Sequence, residues 1–452
     1  MRKNIIILTL TFLMPFSSTA QIISWYNSAV LKTHTSEQTI VRNWNDQKVV
    51  TCYTTNGSPF FACSDVSGFM GVYSSGGFSA NTFYSDPLPN IYSIKDMRIE
   101  DDIVFFCGSV RVPTQPLTYH GIVGFFDLND FEHGNFHPVI HEIPDASYFT
   151  KLVVYNSQGY HKVVTIGYDN TANYNSILLE IDNIALPNPT CNLHTITSNT
   201  QQLNDILFTG RSLVLTGAFK PNYLYPFVWV LDNPANLSSS SSYYNIYYWN
   251  SGTGFSESNA NTYATYLRNG LIAVSYVYVE PSPLSYHTRL RVIDVNASIP
   301  QNIKSQEFEI DNKLEPVEMT YSHSTQILTL LQPIDYTYNQ DPQFIFLSPF
   351  TTSSPYNANL SFFQNGSNYI SLDTYNSNNV VSVGENHVYL QKVTSQNNSG
   401  CPSTTNKKVF LIRNSQISPQ PMQINPTPVP STSINPILSS HSTVWSTSCC
   451  SN

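Results

Sequence analysis

Four carboxylates raise the first chemical question. Asp96, Asp205, Glu318 and Asp373 lie far apart in the chain, each on or near a short strand-like segment at a comparable place in a repeating pattern. Hydrolysis of a glycosidic bond needs two such groups ~5 to 9.5 Å apart, one to donate a proton and one to attack or to activate water. Acids contributed by different repeats meet that requirement only if the segments bearing them converge. The same residues serve equally well as solvated polar groups around an opening, and that reading is adopted for them.

The densest titratable stretch runs from His120 to Glu142 and holds four of the eleven histidines. His133, His137 and His141 are spaced by four, which on a helix would align three imidazoles for zinc. Gly134 and Pro138 interrupt that helix, and Val139 to Ile143 reads as an outer strand on which His137 and His141 share a face. A metal site is therefore not expected, and these three are weak candidates for one. An aromatic run, Tyr243, Tyr244, Tyr247, Tyr248 and Trp249, follows the serines 238–242. On a strand Tyr243, Tyr247 and Trp249 project together, which suits them to stack on a sugar or a partner side chain, or to pack between sheets. The chain has no Gly-x-Ser-x-Gly elbow, phosphate-binding loop, dinucleotide fingerprint or His-Glu-x-x-His helix, and lacks the Ser-x-Asp-x-Gly-x-Thr-Trp box typical of sialidases.

The elements that must position these residues repeat. Short apolar cores recur at Val49 to Cys52, Ile103 to Phe106, Val163 to Ile166, Leu213 to Thr216, Leu271 to Val274, Ile327 to Leu330 and Val380 to Val383. Multi-stranded units at a period near 50 residues are the signature of sheets arranged radially, because no unit can bury its faces alone. Successive apolar positions, as in Ile103 to Phe106, indicate burial on both faces. Charged residues make up only 11% of the chain, while Tyr and Phe number 29 and 25, a composition that favours strands over helices. The expectation is an all-β, seven-bladed β-propeller, with six blades as the alternative because the first unit is compressed between Ile40 and Tyr73. Ile22 to Tyr26 is the natural strand to close the ring on the last blade.

Gly108, Gly167, Gly217 and Gly384 directly follow their core strands, where a side chain would obstruct converging backbones. Third strands end in Asp at Asp127, Asp182, Asp232 and Asp294, read as turn residues that accept local N–H groups. This sequence of apolar strand, Gly, variable loop, aliphatic or aromatic strand and Leu-Asp resembles the repeats of bacterial extracellular β-propeller proteins. It is best matched by Leu213 to Gly217 with Phe227 to Asp232, and it extends over residues 38–414. The resemblance implies architecture and no particular activity.

Residues 1–20, basic, then apolar, then small up to Ala20, read as a secretory leader too short to span a membrane. A propeller domain over 21–414 and an extended Pro/Ser/Thr-rich tail over 415–452 complete the organisation. The formal net charge of −9 repels phosphate backbones and excludes nucleic acid as a partner. Seven cysteines in an exported chain leave one unpaired, and Cys52 and Cys63, flanking Asn56-Gly57, are candidates to bridge one hairpin. The functional expectation is a secreted or cell-surface, non-catalytic binding or scaffolding module for a protein or carbohydrate ligand, with no cofactor and no membrane span. The alternative is an extracellular glycan-active hydrolase using Asp96, Asp205, Glu318 and Asp373.

Overall fold

A computed structural model describes the chain between residues 25 and 449, continuously over 91–112, 118–171, 175–196, 201–219 and 262–281, and essentially strand by strand elsewhere. The leader lies outside the described residues. All but one of the described elements are strands, the exception being a five-residue helix at Leu128–Glu132. Each apolar core identified in the sequence falls on the second strand of a unit, counted from the axis.

Five sheets form separate blades of a β-propeller. The first joins Ser36–Asn45, Lys48–Thr55, Ser58–Asp65 and Val72–Ser79. The second joins Ile91–Glu100, Ile103–Val112, Thr118–Asp127 and Val139–Ile143. The third joins Ala146–Ser157, Tyr160–Asp169, Ser176–Asp182 and Thr190–Thr195, and the fourth Gln201–Phe208, Leu213–Phe219, Pro226–Leu231 and Tyr243–Tyr248. A closing blade joins Tyr369–Tyr375, Asn379–Gly384 and Val388–Thr394 to the N-terminal strand Trp25–Ala29. The ring-closing strand is thus the N-terminal one; it contains Trp25 and Tyr26 of the expected segment, and 22–24 lie outside the described residues. The innermost strands pack side by side in chain order, and Tyr369–Tyr375 returns to Ser36–Asn45 to close the circle.

Seven separate blades are not what the hydrogen bonding gives. The remaining strands form one nine-stranded sheet, because Thr404–Ile417 pairs with Ile303–Ile310 through one part of its length and with Tyr356–Phe362 through the other. One long strand therefore fuses what the spacing predicts as two units.

The same strand begins a belt. After it, Gln420–Gln423 adds a fifth strand to the fourth blade, Pro426–Pro428 to the third, Thr432–Ile434 to the second, Ile437–Ser439 to the first and Trp445–Cys449 to the closing blade. The tail thus visits the sheets in reverse chain order. The register shows how the prolines of this extended tail are accommodated in the sheets. Pro426 and Pro428 stand opposite His194 and Asn192, while the odd-numbered positions bond, Val429 N–H donating to Cys191 O at 3.0 Å. On an edge strand the donor missing from proline faces away from the sheet and nothing is lost.

Blade faces pack through large apolar clusters. Between the first and second blades Phe61 meets Phe126 edge-on at 4.9 Å, with Phe106, Phe131 and Phe136 around them. Fully burying one such ring contributes about 1.5 to 3 kcal/mol. Cys52 and Cys63 sit in this cluster as thiols outside any disulfide, and Cys107 and Cys191 are likewise reduced and buried. No disulfide joins Cys52 to Cys63, because the tight turn pairs Cys52 with Phe61 and Cys63 with Val50. Diagonal positions are ~7 to 8 Å apart, beyond a disulfide's reach. Cys401 and Cys450 lie outside the described residues.

Glycine and bulge act together on the innermost strands. Gly108 stands opposite Ile94, just before a bulge at Lys95, and Gly217 opposite Leu203, just before a bulge at Asn204. A Cβ on either glycine would run into the carbonyl oxygen of Ser93 or Gln202. The bulge re-aims the strand so that the next residue, Asp96 or Asp205, turns toward the neighbouring blade.

Two consequences are measurable. Gly217→Ala should lower unfolding stability by about 1 to 3 kcal/mol, since the backbone contact cannot relax cheaply. Ending the chain after Ile417 should uncover the outer edges of five blades and lower the melting temperature, and light scattering should detect increased self-association. An unchanged melting curve for the truncated chain would contradict a bracing role for the belt.

Candidate functional site

The four acids picked out in the sequence lie on innermost strands, and three of them meet one buried cation. Arg42, on Ser36–Asn45, is 4% exposed. Its Nη2 lies 2.5 Å from Asp96 Oδ1 and 3.2 Å from Glu318 Oε1, its Nε donates to Met97 O at 2.7 Å, and its Nη1 donates to Val41 O at 2.7 Å. Asp373 adds its field from the closing blade. Burial opposes the guanidinium charge, but Glu318, Asp96 and Asp373 outweigh it and hold Arg42 more firmly protonated than usual.

Each aspartate also ties its blade to the next. Asp96 Oδ2 accepts Leu152 N–H at 3.1 Å, Asp205 Oδ2 accepts Ala264 N–H at 2.9 Å, and Asp373 Oδ2 accepts Asn43 N–H at 2.7 Å. Ser371 Oγ accepts Val41 N–H at 3.0 Å in the same manner. These donors belong to innermost strands, on the side where no sheet partner exists, so each bond satisfies a backbone group that would otherwise be orphaned. Lys151 and Arg98 complete the ring of charge, 3.9 Å from Glu318 and 3.6 Å from Asp96.

Distance alone brings Asp96 and Glu318 close enough to be considered as an acid and base pair, but the setting argues otherwise. Arg42 occupies the space between them. Burial pushes the Asp96 carboxyl up, yet Arg98, Lys151, Arg42 and the Leu152 N–H together hold it well below the usual carboxylate range. A general acid needs the opposite shift. Asp205 does have a raised pKa, from burial first, but its two oxygens are taken by the N–H groups of Ala264 and Ile206. The arrangement is an electrostatic hub joining blades.

The histidines do not gather. The helix stops at Glu132, so His133 is exposed and its Nδ1 lies 2.6 Å from Asn129 O, while His137 is exposed before the outer strand begins. His141 points between blades, with Nε2 donating to Ile184 O at 2.9 Å, and burial lowers its pKa. His137 and His141 thus do not share a face, because the strand starts only at Val139. Among the described residues no group of three potential metal ligands occurs. Asp127 acts as a local acceptor, its Oδ1 taking the N–H groups of Asn129 and Asp130 at 2.7 and 3.1 Å to cap the short helix. The side chains of Tyr243 and Tyr247, and all of Trp249, lie outside the described residues. The strand carrying the tyrosines is paired on its outer edge by Gln420–Gln423.

Sequence reasoning missed a cavity. At the end of the innermost strands of the second, third and fourth blades lies a hollow of about 530 Å³. Its polar lining is Arg98, Glu100 and Asn156, and its apolar wall includes Val153, Ile206 and Phe208. The Phe208 ring stacks on Tyr155 with centroids 4.5 Å apart and 23° between planes, which fixes that wall. On the rim Asp101 Oδ2 accepts Asn156 Nδ2 and meets His161 Nε2, both at 3.1 Å. The legible signal was the pair of opposite charges two apart at a strand end, Arg98 and Glu100, preceding the Asp101-Asp102 turn.

Comparison with protein-family models gives no match, and comparison with curated proteins gives none either.

Replacing Arg42 by Leu should cost about 3 to 5 kcal/mol in denaturant unfolding, since it leaves buried carboxylates without their cation. The Asp96 contribution has a defined pH window. Its native pKa lies below the free value near 3.9, so the stabilisation is complete above that value and is lost as pH falls through the native one. The stability gap between the parent chain and Asp96→Asn should therefore be constant above about pH 5 and shrink on acidification below pH 4.

Proposed function

We propose that this protein is a non-catalytic binding or scaffolding module, exported by its leader, that takes a protein or glycan ligand at one mouth of a seven-bladed ring. The count of seven takes the nine-stranded sheet as two blades joined by Thr404–Ile417, which agrees with the seven repeated cores. The repeat pattern points to kinship with bacterial extracellular propeller proteins. One observation carries the reading. The acids nearest the axis are consumed in holding blades together, whereas the cavity at the mouth presents Glu100, which joins no ion pair among the described residues, beside Arg98 with about a third of its side chain exposed. Rigid walls with a shaped hollow lined by apolar and a few polar groups are what recognition requires.

The hydrolase alternative rests on the closeness of Asp96 and Glu318 around Arg42. A screen of the chain from residue 21 against arrayed glycans and extracellular proteins, with product analysis of every glycan hit, separates the two. Saturable binding without turnover is expected. Release of sugar products that disappears in Glu318→Gln, in a variant that keeps the parent circular dichroism, would replace the binding reading with the enzymatic one.

A further inference from the structure

The cavity deserves a ligand of definite chemistry, and its lining supplies one. Arg98 and Glu100 are two apart on Ile91–Glu100 and so lie on the same side of the strand, about 7 Å apart along it. They carry opposite charges and line the same hollow, yet among the described residues no ion pair joins them. The Arg98 guanidinium donates Nε to Leu152 O at 3.3 Å and stands 3.6 Å from Asp96, with about a third of its side chain exposed. Beside these two charges rises the wall of Val153, Ile206 and Phe208, braced by Tyr155.

We infer that this cavity is a receptor site for a zwitterion bearing an apolar side chain, an amino acid or a very short peptide. Its carboxylate pairs with Arg98, its ammonium with Glu100, and its side chain rests on the Ile206 and Phe208 wall. The inference rests on the binding-module reading and gives that module a ligand class. Partial burial and the neighbouring Asp101 push the Glu100 carboxyl upward against the opposing field of His161, and a bound ammonium would add a second favourable charge. A sugar is less suited, because Phe208 and Tyr155 turn their faces to each other and the remaining wall is largely aliphatic. A nucleotide would want more than one cation, and among the described residues Arg98 is the only Lys or Arg in the lining. The volume accommodates anything from a single residue to a short peptide.

Calorimetric titration of the chain from residue 21 tests this with leucine, phenylalanine, Leu-Leu, N-acetyl-leucine, leucinamide, glycine and glucose. Free leucine, phenylalanine or Leu-Leu should bind, with the relative affinities of the single residues and the dipeptide identifying the source. Acetylating the amine or amidating the carboxylate should each weaken binding tenfold or more. Arg98→Gln should abolish the preference for the free carboxylate and Glu100→Gln the preference for the free amine; Glu100→Gln should keep the parent melting temperature, and Arg98→Gln, which also removes a cation from beside Asp96, is read in protein that keeps the parent circular dichroism. Equal affinity for blocked and free ends, preference for glucose, or no binding by any of the set would overturn the inference. The broader reading would survive those results if an arrayed protein or glycan still bound, and would fall with the inference if nothing bound and glycan turnover appeared.

Discussion

Everything in this ring depends on what happens where innermost strands approach the axis without a sheet partner. Their backbone donors face a neighbouring blade instead of a ladder, and a carboxylate from that neighbour takes the bond. Asp96 does so for Leu152, Asp205 for Ala264 and Asp373 for Asn43, the last of these across the point where the circle closes. Charge then has to be balanced in a dry place, and Arg42, Arg98 and Lys151 supply the balance. Clamping and neutralisation are one device, because removing either partner exposes the cost of burying the other.

That device explains why acids at the heart of a propeller need not be catalytic. A proton donor must hold its proton at working pH and have an oxygen free to give it. Asp96 is held in its ionised form by three cations and a peptide N–H. Asp205 is pushed the right way by burial but has its oxygens occupied. The work that these residues perform in the ring is mechanical: they hold backbone donors and balance buried charge.

Much of the architecture was legible because radial sheets leave a periodic trace. The seven apolar cores mark the second strand of each unit, and residues such as Val104 and Phe106 there are buried between neighbouring blades. Gly108, Gly167 and Gly217 after their cores were legible as close approaches, although the carbonyl that each would meet, just before a bulge in the innermost strand, was not, since a bulge has no fixed residue type. The Cys52 and Cys63 pairing failed against information already present, because a two-residue Asn-Gly turn sets the register that separates them. The tail was legible as an extended segment, but its pairing with the sheets was not. Proline forbids a central strand but not an edge, and sequence alone cannot say that five blades each have an edge to offer. Convergence of Asp96, Glu318 and Asp373 on Arg42 was foreseen only as a shared axis, since residues so far apart in the chain acquire a common partner through ring closure.

The belt and the ring closure share one strand. Trp25–Ala29 precedes every other described strand, yet both of its partners, Val388–Thr394 and Trp445–Cys449, follow all the innermost strands in the chain. Joining them closes a loop that holds the whole ring, so this pairing bears the largest loop-closure entropy of any in the molecule. The tail runs back around the perimeter, from the fourth blade to the first, before it reaches that same seam. Loosening the outermost strand there would bare the very edge on which the circle is joined.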